Sequence, residues 1–302
     1  QVPGWPINNI SETSGLVNHF YPDAAAADQG ITGASNTVKY YVDTIGATNK
    51  GTIYLRHDSS AEFTNYIFLT AETITPNITL EFEPGARLSP AAAVTVTING
   101  PLKANPGTHQ IFTGAGSIIF GLGYGTQDYA EWWATNTTPG TTDMRAAINS
   151  AIIALTNIGG IVQLLPTSYY IGSRILMNYN NVHLWGMGKY ATVIESGSAN
   201  EMIIIKTIND IINDDAFDVD DGVANVGCSI RNLSIDGNKA ALAITDAGHE
   251  GKQSGIRLIQ ATDCLIENVY VHDCVQNGAY VVNSSQRVTV INSTFNANGK
   301  AG

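Results

Sequence analysis

Two stretches of the 302-residue chain concentrate side chains that could do chemistry. In residues 208–226, Asp210, Asp214, Asp215, Asp218, Asp220 and Asp221 occur with no Lys or Arg between them. Clustered carboxylates repel one another unless a cation or water screens them, and hard cations take clustered oxygen ligands. The expectation is a Ca²⁺ site with Asp214, Asp215, Asp218, Asp220 and Asp221 as ligands. Asp218-Val-Asp220-Asp221-Gly222 only loosely follows an EF-hand loop, and the closing Glu is missing. A solvated acidic loop is the plain alternative. In residues 238–254, His249, Glu250 and Lys252 put a base, an acid and a cation on one segment. Asp236 and His272-Asp273 lie on the flanking strands. Cleavage of a polysaccharide uses such a set. Hydrolysis needs paired carboxylates, and β-elimination needs a base and a cation beside the sugar carboxylate. Asp236, His249, Glu250, Lys252, His272 and Asp273 are therefore the candidate catalytic residues, against the alternative that they are only polar surface.

These residues need a frame, and the last third of the chain supplies a repeat. Cys228-Ser-Ile-Arg-Asn232-Leu-Ser-Ile235, Cys264-Leu-Ile-Glu-Asn268-Val-Tyr-Val271 and Val288-Thr-Val-Ile-Asn292-Ser-Thr-Phe295 share the pattern apolar-x-apolar-x-Asn-x-x-apolar. Asn181-Val-His-Leu184 is a weaker fourth copy. The spacings between the Asn positions are 51, 36 and 24. The shortest suits one bare turn of a parallel β-helix, and the longer ones read as the same turn with insertions. Strands alternate in and out with period two, so each turn covers the core of the last. Asn tolerates the left-handed backbone of a tight turn, and stacked Asn amides can bond one another as a ladder. In this alignment Asp236 and His272 occupy equivalent positions on adjacent turns, about 4.8 Å apart.

The middle of the chain predicts an amphipathic helix over 142–155. Ala147, Ile148, Ala151, Ile152 and Leu155 fall at helical spacing, Thr142 or Asp143 is the candidate N-cap, and Gly159-Gly160 ends the helix. Such a helix could cap the open end of a solenoid. The run Asp143 to Ile152, then Gly159-Gly160-Ile-Val-Gln-Leu-Leu-Pro166-Thr-Ser-Tyr169, resembles the opening segment of pectate-lyase-superfamily β-helices. Its lead, Asn136-Thr-Thr-Pro-Gly140-Thr-Thr-Asp143, is a degraded form of that family's Gly-Asp-Gly and Thr-Asp pattern. Trp132-Trp133 is similar to related bacterial and phage β-helix proteins. The resemblance covers about residues 128–302. It implies an all-β, single-stranded right-handed parallel β-helix with a short capping helix. For chemistry it implies less, because that family holds lyases, hydrolases, epimerases and inactive adhesins. The Asn-x-Asp, Asp-Asp and Gly-His-Gly set of polygalacturonases and the Tyr-Gly-x-Asp-Pro-His of alginate epimerases are absent.

Residues 1–127 are expected to form a smaller β-rich head. Short runs at 52–55, 66–69, 78–82, 94–98 and 111–112 are punctuated by Gly and Pro, and 121–141 reads as a linker. Gly302 aligns with Gly278, so the helix is expected to continue past the last residue or to be covered there.

Composition bounds the partners. Charged residues are 14% of the chain against a usual value of about 25%, which suits glycan contact or self-association. A net charge of −11 with 15 Lys and Arg and no basic cluster argues against nucleic acid. No apolar run is long enough to span a membrane. Cys228, Cys264 and Cys274 read as buried thiols. Trp132, Trp133, Tyr169, Tyr170 and Tyr270 are candidate sugar-stacking rings. The expectation is an extracellular protein, secreted or on a cell or virion surface, that binds and could cleave a polysaccharide. The alternative is a non-catalytic adhesive or structural homo-oligomer, a trimeric spike or a filament.

Overall fold

The computed structural model describes residues 18–58, 60–106, 109–197, 203–205, 224–242, 254–282 and 284–299. The chain is mostly β, with two α-helices among the described residues, α1 (Val38–Ile45) and α2 (Arg145–Ala154). Every strand pairing among those residues is parallel.

The chain returns to the same sheet after each rung. In the first part, Glu72 pairs with Val96 and Val96 with Ile118. Thr64 pairs with Ala86, and Gly51 with Ile78. The repeat therefore extends well before residue 128. The strands Glu72–Ile74, Ala86–Pro90 and Ser117–Phe120 were not anticipated from sequence. The 111–112 run is reduced to one bridge, Leu88 to Phe112. The Gln127–Tyr129 strand, inside the expected linker, starts the largest sheet by pairing with Gly160–Gln163.

That sheet continues through Val182–Trp185, Ser229–Asp236 and Leu265–His272, with Ser168–Ile171 and Val193–Ser196 beside them. Period-two alternation builds two inward columns. Val162, Leu184, Ile230 and Ile266 stack in register in one, and Tyr169, Ile194, Ile235 and Val271 in the other; all are fully buried. Each such aliphatic contributes about 1.5–3 kcal/mol. The main core cluster runs without a break from Val38 to Cys274. The three cysteines are free and buried, as expected.

The Asn turn is a real structural device. Asn232, Asn268 and Asn292 have φ of 56°, 53° and 54°, and Asn268 Nδ2 donates to Asn232 Oδ1 at 3.0 Å. Asn181 also has a positive φ, 56°, but it is not a rung of this ladder. Register pairs Trp185 with Arg231, which places Gly186 opposite Asn232. A Cβ at Gly186 would lie 2.2 Å from the Asn232 carbonyl oxygen, so only glycine fits that rung.

Helix α2 forms where the apolar spacing predicts, but its N-cap position is Met144, with no side-chain cap. Asp143 acts one residue earlier, accepting from the Arg145 and Gly172 backbone N–H groups at 3.0 and 3.1 Å. The helix lies against the Ser117–Phe120 and Ile175–Met177 strands, in the middle of the stack rather than over its end. Helix α1 was missed from sequence. Its signals are present, however: Thr37 Oγ1 accepts from Tyr40 N, Val38, Val42 and Ile45 are buried on one face, and Gly46 ends it at φ 67°.

Candidate functional site

The outward positions of the large sheet also form columns. Tyr170, Glu195, Asp236, His272 and Asn296 pair in that order across successive rungs. Inward Ile235 and Val271 fix the parity, so Asp236 and His272 must face out. The register thus brings together two of the predicted site residues, and the turn after His272 adds a third. His272 Nδ1 lies 2.9 Å from Asp273 Oδ2 and 4.0 Å from Asp236 Oδ1. Asp273 takes φ 52°, which folds its carboxylate back onto the ring. Asp236 Oδ1 also accepts from Asn238 N at 2.8 Å. Lys239 Nζ stands 3.6 Å from Asp273 Oδ1 and donates to the Ala297 carbonyl.

Electrostatics follow from this geometry. The hydrogen bond from His272 is the main reason the Asp273 carboxyl is held below its ordinary range. Burial opposes this, and the charges of His272 and Lys239 reinforce it. Asp273 is therefore an anion, not a proton donor, near neutral pH. The ligand atoms of Asp236, His272 and Asp273 all lie within 4.8 Å of one another. Ca²⁺ takes six to eight oxygens, and this trio with a neighbouring ammonium does not fit it. The predicted Ca²⁺ ligands Asp214, Asp215, Asp218, Asp220 and Asp221 lie outside the described residues, as do His249, Glu250 and Lys252.

Aromatic rings complete the surface. The Tyr270 ring stacks on His272 at 4.5 Å and 25°, and Tyr190 meets Tyr270 edge-on at 5.7 Å. Tyr190 is 75% exposed. Lys189 beside it donates to Thr294 Oγ1 at 2.8 Å. Of the rings expected to stack on sugars, Trp132 and Tyr169 are buried in the core, and Trp133 donates to Asp128 at 2.9 Å. Tyr270 faces the surface. Tyr190 was missed because it sits in a turn, Gly188 to Ala191, with no periodicity to mark it.

A second cluster sits on the same strands before the Asn turn. The Trp185 indole N–H can only donate, and it gives its hydrogen to Ser229 Oγ at 3.0 Å. The Ser229 hydroxyl also hydrogen-bonds His183 Nδ1 at 2.9 Å. Burial, then the charge of Arg231, pulls the His183 pKa down, which keeps the ring neutral. Ser229 is only 3% exposed, so it braces the two rings and cannot reach a substrate. Arg231 lies over Trp185 at 5.0 Å and pairs with Glu267 at 3.3 Å.

Among the described residues no helix is long and apolar enough to cross a membrane. No protein-family model matches the chain, and no curated protein does. A solved structure described as Geobacillus virus E2 ORF18 is similar over 58% of this chain, at 19% identity and a TM-score of 0.43. The chain spans 39% of the length of that protein.

Proposed function

We propose that the chain is a single-stranded right-handed parallel β-helix whose outer face binds a polysaccharide around Tyr190, Tyr270, His272, Asp236 and Asp273. All-parallel rungs that return to the same sheets support the helix, and parallel crossovers in one sheet are right-handed in about 98% of cases. On this reading residues 1–127 are the head of the helix and 128–302 its main body. The observation that carries the function is the Tyr190–Tyr270–His272 row, exposed at Tyr190, half-buried at Tyr270 and His272, and flanked by two carboxylates. Aromatic faces cover sugar C–H groups, and the carboxylates and Lys239 answer hydroxyls. A low-charge surface fits an extracellular setting, on a cell or a virion.

Recognition is a better fit to this geometry than cleavage. A hydrolase of the usual kind needs one carboxyl held protonated, whereas His272 and Lys239 keep Asp273 ionised. The test is binding to a panel of neutral and uronate polysaccharides, with and without Ca²⁺. Tyr190→Ala is expected to weaken the best ligand about tenfold, the scale of one aromatic contact. Unchanged binding in the Tyr190→Ala, Tyr270→Ala double variant would sink the reading. Absorbance from unsaturated uronates, or new reducing ends lost in His272→Ala, would restore the enzyme. His249, Glu250 and Lys252 would then be the next residues to substitute.

A second reading is a homo-oligomeric spike or filament. Val281, Val290, Ile291 and Phe295 stand 39–49% exposed on the last described rung. A second copy seated there would cover them. A monomer at high concentration in sedimentation equilibrium would remove this reading.

A further inference from the structure

Asp236, His272 and Asp273 have a property that sugar recognition does not require: their ligand atoms converge on one small volume. Asp236 and His272 arrive side by side from adjacent rungs of the outward column. The left-handed backbone of Asp273, at φ 52°, turns its carboxylate back onto the His272 ring. His272 Nδ1 lies 2.9 Å from Asp273 Oδ2 and 4.0 Å from Asp236 Oδ1, and all three ligand atoms lie within 4.8 Å of one another. Ligands at about 2.0–2.1 Å around a tetrahedral ion stand roughly 3.3–3.4 Å apart, so the 2.9 and 4.0 Å separations fall on either side of that spacing. The groups are also open to solvent: the side chains of His272, Asp236 and Asp273 are 19%, 35% and 44% exposed.

The donor chemistry selects the ion. One imidazole nitrogen with two carboxylates suits zinc and its late first-row neighbours, whereas Ca²⁺ and Mg²⁺ take oxygen ligands. Contacts outside the trio hold two of the three ligands. The Tyr270 ring stacks on His272 at 4.5 Å, and Asn238 N donates to Asp236 Oδ1 at 2.8 Å. Such outer contacts fix ligand orientation. Lys239 approaches Asp273 at Oδ1, 3.6 Å away, and is anchored by donating to the Ala297 carbonyl. Asp273 Oδ2, the oxygen beside His272, is thus left for a metal. The ammonium still opposes a cation through its charge.

We propose that Asp236, His272 Nδ1 and Asp273 Oδ2 form a three-ligand site for Zn²⁺ or a similar late first-row divalent cation, with the fourth position left to water. The cation takes the place of the proton between Nδ1 and Oδ2. The site shares residues with the polysaccharide surface but stands without that reading, since no sugar enters the argument. Calorimetric titration of the metal-stripped full chain with Zn²⁺ tests it, with Co²⁺ absorbance reporting four-coordination. Saturable Zn²⁺ binding is expected. His272→Ala should weaken it at least about tenfold, and Asp236→Asn at least roughly threefold. Lys239→Met removes the opposing ammonium and should tighten it by roughly twofold or more. Tyr190→Ala, which disturbs only the sugar-stacking row, should change it by less than about twofold. Ca²⁺ in about a hundredfold excess should not displace the zinc. Both ligand variants should melt within about 2 °C of the unmodified chain, which shows that they fold. Zinc binding weaker than about 1 mM, or affinity unchanged in both His272→Ala and Asp236→Asn, overturns the proposal. So does displacement of the zinc by Ca²⁺. Failure of every polysaccharide to bind leaves this result untouched, and failure of zinc leaves the polysaccharide reading untouched.

Discussion

Asp128 and Asp236 lie on strands of one sheet, yet they live in opposite environments. Asp128 pairs with Val162, in line with Leu184, Ile230 and Ile266. It therefore points into the core and is fully buried. Burial drives its carboxyl well above the ordinary range, although Trp133 Nε1 and Tyr129 N both donate to it. Nearby Glu131 is also buried. Its Oε1 accepts from the Tyr169 hydroxyl, and burial again raises it. Asp236 stands in the outward column and, with Asp273, gathers His272 and Lys239 around it. The same side chain is a structural post in one column and, under the proposed function, a binding group in the next. Strand parity decides which.

The sharpest way to break this contrast is to remove each carboxylate. Asp128→Ala leaves the Trp133 indole N–H and the Tyr129 N–H unpaired in the core. It should cost about 3 kcal/mol in urea unfolding without altering sugar affinity per folded molecule. A loss below about 1 kcal/mol would show that Asp128 is not the post described.

pH separates the clusters next. A carboxyl raised in the folded state, such as Glu131, binds its proton more tightly folded than unfolded. Its contribution is complete at low pH and is lost as pH rises from the ordinary value of 4.5 through the raised one. The slope is at most about 1.4 kcal/mol per pH unit for each group. Asp273 has the opposite sign: its contribution is present above 3.8 and is lost as pH falls below it. Between pH 5 and 8 the buried pair should dominate, so stability should decline as pH rises. Glu131→Gln copies the neutral acid and should flatten that decline. A variant that follows the unmodified pH curve would contradict the assignment.

The smallest expected stability effect is at the exposed site. Asp236→Ala should change unfolding free energy by no more than about 0.5 kcal/mol, while reducing polysaccharide affinity. A large destabilisation there would make Asp236 a structural residue and erase the comparison.

Much of this was legible in the residues. The Asn turns at 232, 268 and 292 were visible because a left-handed backbone leaves a local trace in residue type. The pairing of Asp236 with His272 followed from aligning those turns. The repeat in the first 127 residues was harder to see, because its turns carry no single repeating residue. Tyr190 was not visible at all, since a turn residue has no periodicity and its place beside Tyr270 depends on a strand 80 residues away.

Local chemistry by itself determined where this chain turns and which strand residues alternate, since backbone preference and period two act over a few residues. Only the tertiary structure decided which column each carboxylate enters. Asp128 and Asp236 look alike in isolation. Their environments are set by how the rungs register, and a shift of one residue would exchange core for surface. That register is fixed by the summed burial of Val162, Leu184, Ile230 and Ile266 across rungs tens of residues apart.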